Sequence, residues 1–172
     1  KNNTKKIIEI ANNYKVDLNN TFSERVEVYG DMEGWYANGS PLIYAIQCGN
    51  LAAIDTLLKL GANVGQLTDI YSQSEFFDFI NAMDMTNRIS IMPLMFAAYS
   101  DSTGKVVSFL INKGVKVNAK DKDGKTALMY SGGDSTKFLI NAGADVNAKD
   151  NEGKTALMYA GSASVDLLIK NK

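Results

Sequence analysis

The stretch Asn-Ala-Lys-Asp-Lys-Asp-Gly-Lys-Thr-Ala-Leu-Met-Tyr at residues 118–130 recurs 29 residues later, at 147–159, with only two of its thirteen positions changed. Weaker copies of its apolar end lie upstream, at 41–45 and 93–97. After each copy, apolar residues follow at helical spacing and stop near a glycine, which can adopt the left-handed conformation that ends a helix. The sequence therefore predicts a tandem array of helix pairs.

Each strong copy also carries a turn and a helix start. Asp121 and Gly124 bound a turn, and Thr126 follows at the position where a helix needs an N-cap. The same arrangement returns at 150–155. One helix pair cannot bury its apolar face alone, so neighbouring pairs must stack. We therefore expect an elongated helical stack with hairpins projecting to one side.

This unit resembles the ankyrin repeat. Residues 40–65 match the spacing of that repeat without a gap, and the resemblance extends over 4–19 and 92–172. It implies an all-α ankyrin-repeat solenoid of about four helix pairs plus a leading helix, with hairpin loops projecting to one side.

Two departures from the family pattern bear on the structure. The histidine of the family's Thr-Pro-Leu-His motif is replaced by methionine or isoleucine, so its usual hydrogen bonding with threonine is missing or replaced by packing. The replacing residues are Ile43, Met95, Met129 and Met158. The last two units are also about four residues short between their helices, which removes about one helical turn.

The chain divides into repeats and two long insertions. We expect a single domain over 1–172 with these parts: leading half repeat 4–19, insertion 20–39, repeat 40–65, insertion 66–91, and repeats 92–118, 119–147 and 148–172. Alternation and bracketing glycines predict a hairpin in the first insertion, and a capping box followed by apolar residues predicts a short helix in the second. Half of the sixteen aromatic residues lie in the insertions, either as partner anchors or as packing against the stack.

Composition removes several classes of function. The net charge of -1 argues against a general affinity for nucleic acid, and no apolar run is long enough for membrane insertion. Histidine is absent, which excludes Ser-His and Cys-His catalytic pairs and imidazole metal ligands. Cys48 is the only cysteine, so neither an intrachain disulfide nor a cysteine zinc site can form. We expect no catalytic residues, no metal and no cofactor.

The sequence contains an apparent nucleotide-binding motif, but its acidic residues argue against phosphate binding. Residues 119–126 satisfy a relaxed phosphate-loop pattern, and 148–155 do so again. The first loop contains Asp121 and Asp123, whose carboxylates would repel phosphate. The match also returns at the repeat offset, as expected for a hairpin.

The family resemblance implies a non-enzymatic module that binds a protein or peptide partner through hairpin tips and the groove of first helices. From the composition of the insertions, we expect their aromatic residues to supply further anchors. The expected partner-binding residues are Trp35, Tyr36, Gln47, Tyr71, Phe77, Tyr99, Lys122, Asp123, Lys125, Asn151, Glu152 and Lys154. Two alternatives stay open. One is a small-molecule or carbohydrate binder with an aromatic cleft at Trp35, Tyr36 and Tyr71, and the other is a self-associating scaffold.

The sequence is less informative about source and location. We expect a monomer, with self-association left open. Abundant lysine and asparagine are typical of AT-rich genomes, and we expect a bacterial protein. Because the chain begins at Lys1 rather than methionine, we expect that it was trimmed upstream, and both a cytoplasmic and an exported location stay open.

Overall fold

A computed structural model of the protein describes residues 40–65, 68–71, 88–101 and 103–172. This part of the chain forms eight helices and two strands. They are α1 Pro41–Gln47, α2 Leu51–Lys59, β1 Thr68–Tyr71, β2 Arg88–Ile91, α3 Pro93–Ser100, α4 Lys105–Asn112, α5 Ala127–Tyr130, α6 Gly133–Asn141, α7 Ala156–Tyr159 and α8 Ser162–Lys170. The predicted leading half repeat 4–19, the insertion 20–39 and the short helix of the second insertion lie outside the described residues.

The described helices stack in two layers. The first helices of successive pairs, α1, α3, α5 and α7, contact one another in that order, and the second helices α4, α6 and α8 do the same. The apolar core lies between the layers, where Ile43, Leu57, Leu110 and Leu139 are completely buried. The predicted all-α repeat stack is therefore confirmed.

The first described helix pair forms where its sequence supplies caps. The Ser40 hydroxyl accepts a hydrogen bond of 3.4 Å from the backbone N–H of Ile43, and proline follows as the first residue of α1. The Asn50 side chain accepts a bond of 3.1 Å from the N–H of Ala53 and so starts α2. Behind α2, Gly61 has a φ of 100°, a left-handed conformation that ends the helix.

The first helices of the last two repeats are short. The helices α5 and α7 have four residues each, whereas α3 has eight, in agreement with the predicted loss of about one turn. The joint after α5 is held by hydroxyl groups, of which those of Thr136 and Ser164 are buried. Thr136 Oγ1 lies 2.9 Å from Ser131 Oγ and 2.8 Å from Ser164 Oγ, which ties α6 to both the joint and α8.

The second insertion begins and ends in paired strands that the sequence analysis did not anticipate. The strands β1 and β2 are antiparallel, with Thr68 opposite Ile91 and Tyr71 opposite Arg88. Met92 then occupies the N-cap position of α3, just as Thr126 occupies that of α5. A strand pair therefore stands where the later repeats have a tight turn.

The cap positions of α5 and α7 are confirmed, but their threonines make no capping bond. The backbones of Thr126 and Thr155 are extended, and neither hydroxyl binds a helix N–H. Thr126 Oγ1 is buried and has no hydrogen-bond partner within the described part of the chain. Met129 lies three residues later, at the position where the family has histidine. Methionine has no ring nitrogen that could hydrogen-bond the Thr126 hydroxyl.

We expect Thr126→Val to stabilise the protein by about 1 kcal/mol. Valine has nearly the same shape, and the substitution removes a buried hydroxyl whose desolvation is uncompensated. The measurement is the free energy of unfolding in urea. Thr155→Val is the matched control, because Thr155 is only half-buried and should change little. A loss of stability in Thr126→Val but not in Thr155→Val would contradict the conclusion that the Thr126 hydroxyl has no hydrogen-bond partner.

Candidate functional site

The hairpin before α5 is organised by one carboxylate. Asp121 Oδ1 accepts hydrogen bonds from the backbone N–H groups of Asp123 (2.9 Å) and Lys125 (2.8 Å). Its Oδ2 accepts from the Tyr130 hydroxyl at 2.7 Å. Gly124 closes the turn with a φ of 76°. A single aspartate thus fixes the turn and attaches it to the helix that follows.

The hairpin before α7 repeats this arrangement. Asp150 Oδ1 accepts from the N–H groups of Glu152 and Lys154, both at 2.9 Å, and its Oδ2 accepts from the Tyr159 hydroxyl at 2.5 Å. The role of both tyrosines was not predicted from the sequence. The signal was present, since each aspartate is followed nine residues later by a tyrosine in both copies.

The two hairpins and the loops beside them are joined by a set of hydrogen bonds that we call the hairpin ladder. Its bonds run from Asn151 N to Asp123 O (2.9 Å), Asn151 Nδ2 to Lys122 O (3.0 Å), Lys120 Nζ to Lys149 O (2.8 Å), Asn118 Nδ2 to Gly143 O (3.0 Å) and Asp145 N to Asn118 Oδ1 (2.8 Å). Each hairpin is therefore held in a fixed position relative to the other.

Lysine side chains lie over the tyrosine rings behind the hairpins. Lys125 Nζ is 5.7 Å from the centre of the Tyr130 ring and 5.0 Å from that of Tyr159, within cation–π range. Burial, followed by the hydrogen bond to Asp121, raises the pKa of Tyr130. Burial and the bond to its own aspartate likewise raise the pKa of Tyr159. Both phenols therefore stay neutral and donate to carboxylates at neutral pH.

Acid should loosen the second hairpin. The Tyr159 hydrogen bond, supported by backbone N–H groups, lowers the pKa of Asp150 below the usual aspartate value. A lowered folded-state pKa contributes stability that is complete above about pH 4 and lost as the pH falls through the folded value. We expect Asp150→Asn to reduce the loss of stability between about pH 7 and about pH 3, measured by urea unfolding. The exposed Asp166→Asn on α8 is the control, and equal acid sensitivity in native protein and Asp150→Asn would contradict this account.

The structure separates the expected partner-binding residues into groups. Five are exposed at the hairpins, and we call them the tip surface: Lys122, Asp123, Asn151, Glu152 and Lys154. Lys125 is half-buried between the tyrosine rings. Gln47 and Tyr99 lie near the ends of α1 and α3, on earlier repeats and away from the hairpins. Tyr71 ends β1, whereas Trp35, Tyr36 and Phe77 lie outside the described residues.

A cavity beside the hairpins was not anticipated from the sequence. Its volume is about 510 Å³, and it lies between the loop at 63–65, the start of α3 and the loop at 114–120. Lys116 and Lys120 are among its lining residues. Neither lysine belonged to the expected set, because sequence reasoning places a residue in a loop without showing that two loops enclose a space.

Two models of known protein families match most of the described chain. A family model described as ankyrin repeats, in three copies, matches residues 76–150 and also 94–172. A model of the single ankyrin repeat matches residues 39–69. Within the described ranges, no helix has both the length and the apolar character needed to cross a membrane.

Proposed function

This chain belongs to the ankyrin repeat family, and from that premise we propose that it binds a protein or peptide partner non-covalently through the tip surface and the adjoining groove of first helices. Ankyrin repeats are generally protein–protein interaction modules, and the family is typically non-enzymatic. The proposal extends this general property to particular residues of this chain.

The observation that carries the proposal is the rigid presentation of exposed side chains. The hairpin ladder and the two Asp–Tyr bonds hold the backbone of the tip surface, while Lys122, Asp123 and Glu152 remain exposed. A surface that is already ordered loses less conformational entropy on binding. The tip surface therefore suits recognition better than a pair of independent loops would.

Charges on the tip surface are mixed. Lys122 stands beside Asp123 in one hairpin, and Glu152 pairs with Lys154 at 2.6 Å in the next. An exposed pair of this kind adds little to stability. Its value in an interface is specificity, because a partner with the wrong charge pattern is repelled. We propose a partner that presents alternating charges to the hairpins.

The remaining expected residues extend the proposed surface. Gln47 and Tyr99 would contact the partner along the first helices, and the aromatic residues of the insertions would supply large contact areas. Those aromatic residues are Trp35, Tyr36, Tyr71 and Phe77.

The test is affinity capture from the source organism's lysate, followed by mass spectrometry. The tip variant, Lys122→Ala, Asp123→Ala and Glu152→Ala, is compared with native protein. We expect the tip variant to lose a protein that the native bait retains. The matched control removes the exposed charges of Lys137 and Asp166 on second helices and should keep the partner.

A second variant separates the insertions from the hairpins. It carries Trp35→Ala, Tyr36→Ala and Phe77→Ala. Loss of the partner with this variant as well would assign anchoring to the insertions. A partner retained equally by native protein and both variants would refute the proposed surface. Circular dichroism melts show whether each bait is folded.

A further inference from the structure

The cavity lies where direct pairing of neighbouring hairpins is interrupted. The hairpins at 119–125 and 148–154 contact each other through the ladder. In the preceding repeat, residues 88–91 belong to β2 instead of a tight turn. The cavity of about 510 Å³ is lined by Met92, which directly follows this strand, and by the loops at 63–65 and 114–120, and its volume lies in the range of ligand sites.

The lining of the cavity is mainly apolar. The apolar lining residues are Val64, Met92, Leu94, Met95, Val115, Ala119 and Ala127. Leu94 and Met95 are buried at its floor, whereas Met92 is half-buried. Unbranched, polarizable methionine side chains adapt their shape to an inserted group. This lining fits one large apolar side chain.

The charged residues of the described lining are all basic. Lys116 and Lys120 line the cavity, and among the lining residues that the structure describes none is acidic. Lys116 is exposed and forms no ion pair with a carboxylate within the described ranges. Lys120 donates one hydrogen bond to Lys149 O, which leaves two ammonium N–H groups for a ligand. Residues 92–172 as a whole carry eleven lysines against eight acidic residues.

We propose that this cavity binds an acidic peptide segment of the partner, with one large apolar side chain inserted between the loops and an adjacent carboxylate on Lys116 and Lys120. The inference rests on the proposed function and names the chemistry of the partner. A peptide is favoured over a small molecule because Lys120, which lines the cavity, lies only two residues before Lys122 of the tip surface. One extended chain can therefore cover both.

The test begins with selection from a phage-displayed library of random dodecapeptides on the full chain. We expect enriched peptides to combine a leucine or an aromatic residue with a nearby aspartate or glutamate. A selected peptide labelled with fluorescein then reports affinity by anisotropy. Absence of any enriched peptide, or enrichment without acidic residues, would overturn the proposal.

A matched pair of variants tests insertion into the cavity. Ala119→Trp fills the cavity and should weaken peptide binding at least tenfold. Ala148 occupies the same place one repeat later, outside the lining, so Ala148→Trp should leave affinity within twofold. Equal affinities of the two variants would overturn the proposal.

A second pair tests the charge. We expect Lys116→Glu, alone and with Lys120→Glu, to lower affinity at least tenfold, while Lys137→Glu with Lys170→Glu on second helices leaves it within twofold. The single Lys116→Glu change affects an exposed side chain, so a folding defect would not explain its effect. Unchanged affinity in Lys116→Glu would contradict the proposed contact.

Two further outcomes distinguish a failure of the cavity as a peptide site from a failure of partner binding through the tip surface. Octanoate is the small-molecule probe, and tighter binding of octanoate than of the peptide would replace the peptide assignment. A lysate protein retained by Ala119→Trp but lost by the tip variant would preserve the proposed function and refute the cavity as its peptide site.

Discussion

Replacing Gly124 with alanine is expected to destabilise the protein by about 3 kcal/mol and to separate the two hairpins. Gly124 has a φ of 76°, where a residue with a side chain costs about 1–2 kcal/mol. A Cβ there would also lie 2.9 Å from the backbone nitrogen of Asn151. Backbone atoms must move to relieve this contact, and overpacking of this kind costs about 1–3 kcal/mol more.

Gly153→Ala is the internal control for this effect. Gly153 occupies the same place in the next hairpin with a φ of 80°, yet a Cβ there meets no atom within 4 Å. It should therefore cost only the conformational strain, about 1–2 kcal/mol. Urea unfolding of both variants gives the comparison. Equal destabilisation would mean that contact with Asn151 contributes nothing to the position of the hairpins.

Replacing Met129 with alanine should cost about 3 kcal/mol of unfolding free energy, whereas the same change at Met158 should cost less than about 0.5 kcal/mol. Both residues occupy the same place in an identical Thr-Ala-Leu-Met-Tyr sequence. Met129 is 6% exposed, because the next helix pair covers it. Met158 is 69% exposed on the last described helix pair.

The measurement is again equilibrium unfolding in urea, with the native circular dichroism spectrum required of both variants. A large cost at Met158 would show that its side chain is covered in solution, for example by a second copy of the chain. Sedimentation equilibrium would then detect a dimer. Similar small costs at both positions would contradict the stacking of α7 on α5.

The contrast between the two methionines shows what sequence could and could not predict. The 29-residue recurrence was sufficient for the repeat unit, the turns and the shortened first helices. Whether each methionine is buried depends on whether another helix pair packs against its repeat. The identical local sequences around Met129 and Met158 carry no information about such a neighbour. The strands β1 and β2 were missed because their pairing joins short segments separated by residues 72–87.

The sequence placed these residues in hairpins, but it carried no information about which groups their side chains would contact. The Asn151 amide donates to Lys122 O, a contact that the sequence did not predict, and its contact with a partner stays a prediction. Lys125 was expected at the surface, and its ammonium lies over tyrosine rings. Turn residues in the sequence predict that a residue lies in a hairpin. The groups that its long side chain contacts depend on the neighbouring repeat.

The hairpin ladder has a consequence for how the protein moves. Its side-chain bonds join residues only 25 to 29 positions apart, so each spans one boundary between repeats. Residues 148–172 can thus detach without breaking bonds among earlier repeats, and amide hydrogen exchange should be faster there than in residues 103–147. A partner that contacts both hairpins would suppress the detachment of residues 148–172. Slower amide hydrogen exchange in these residues would therefore report its binding.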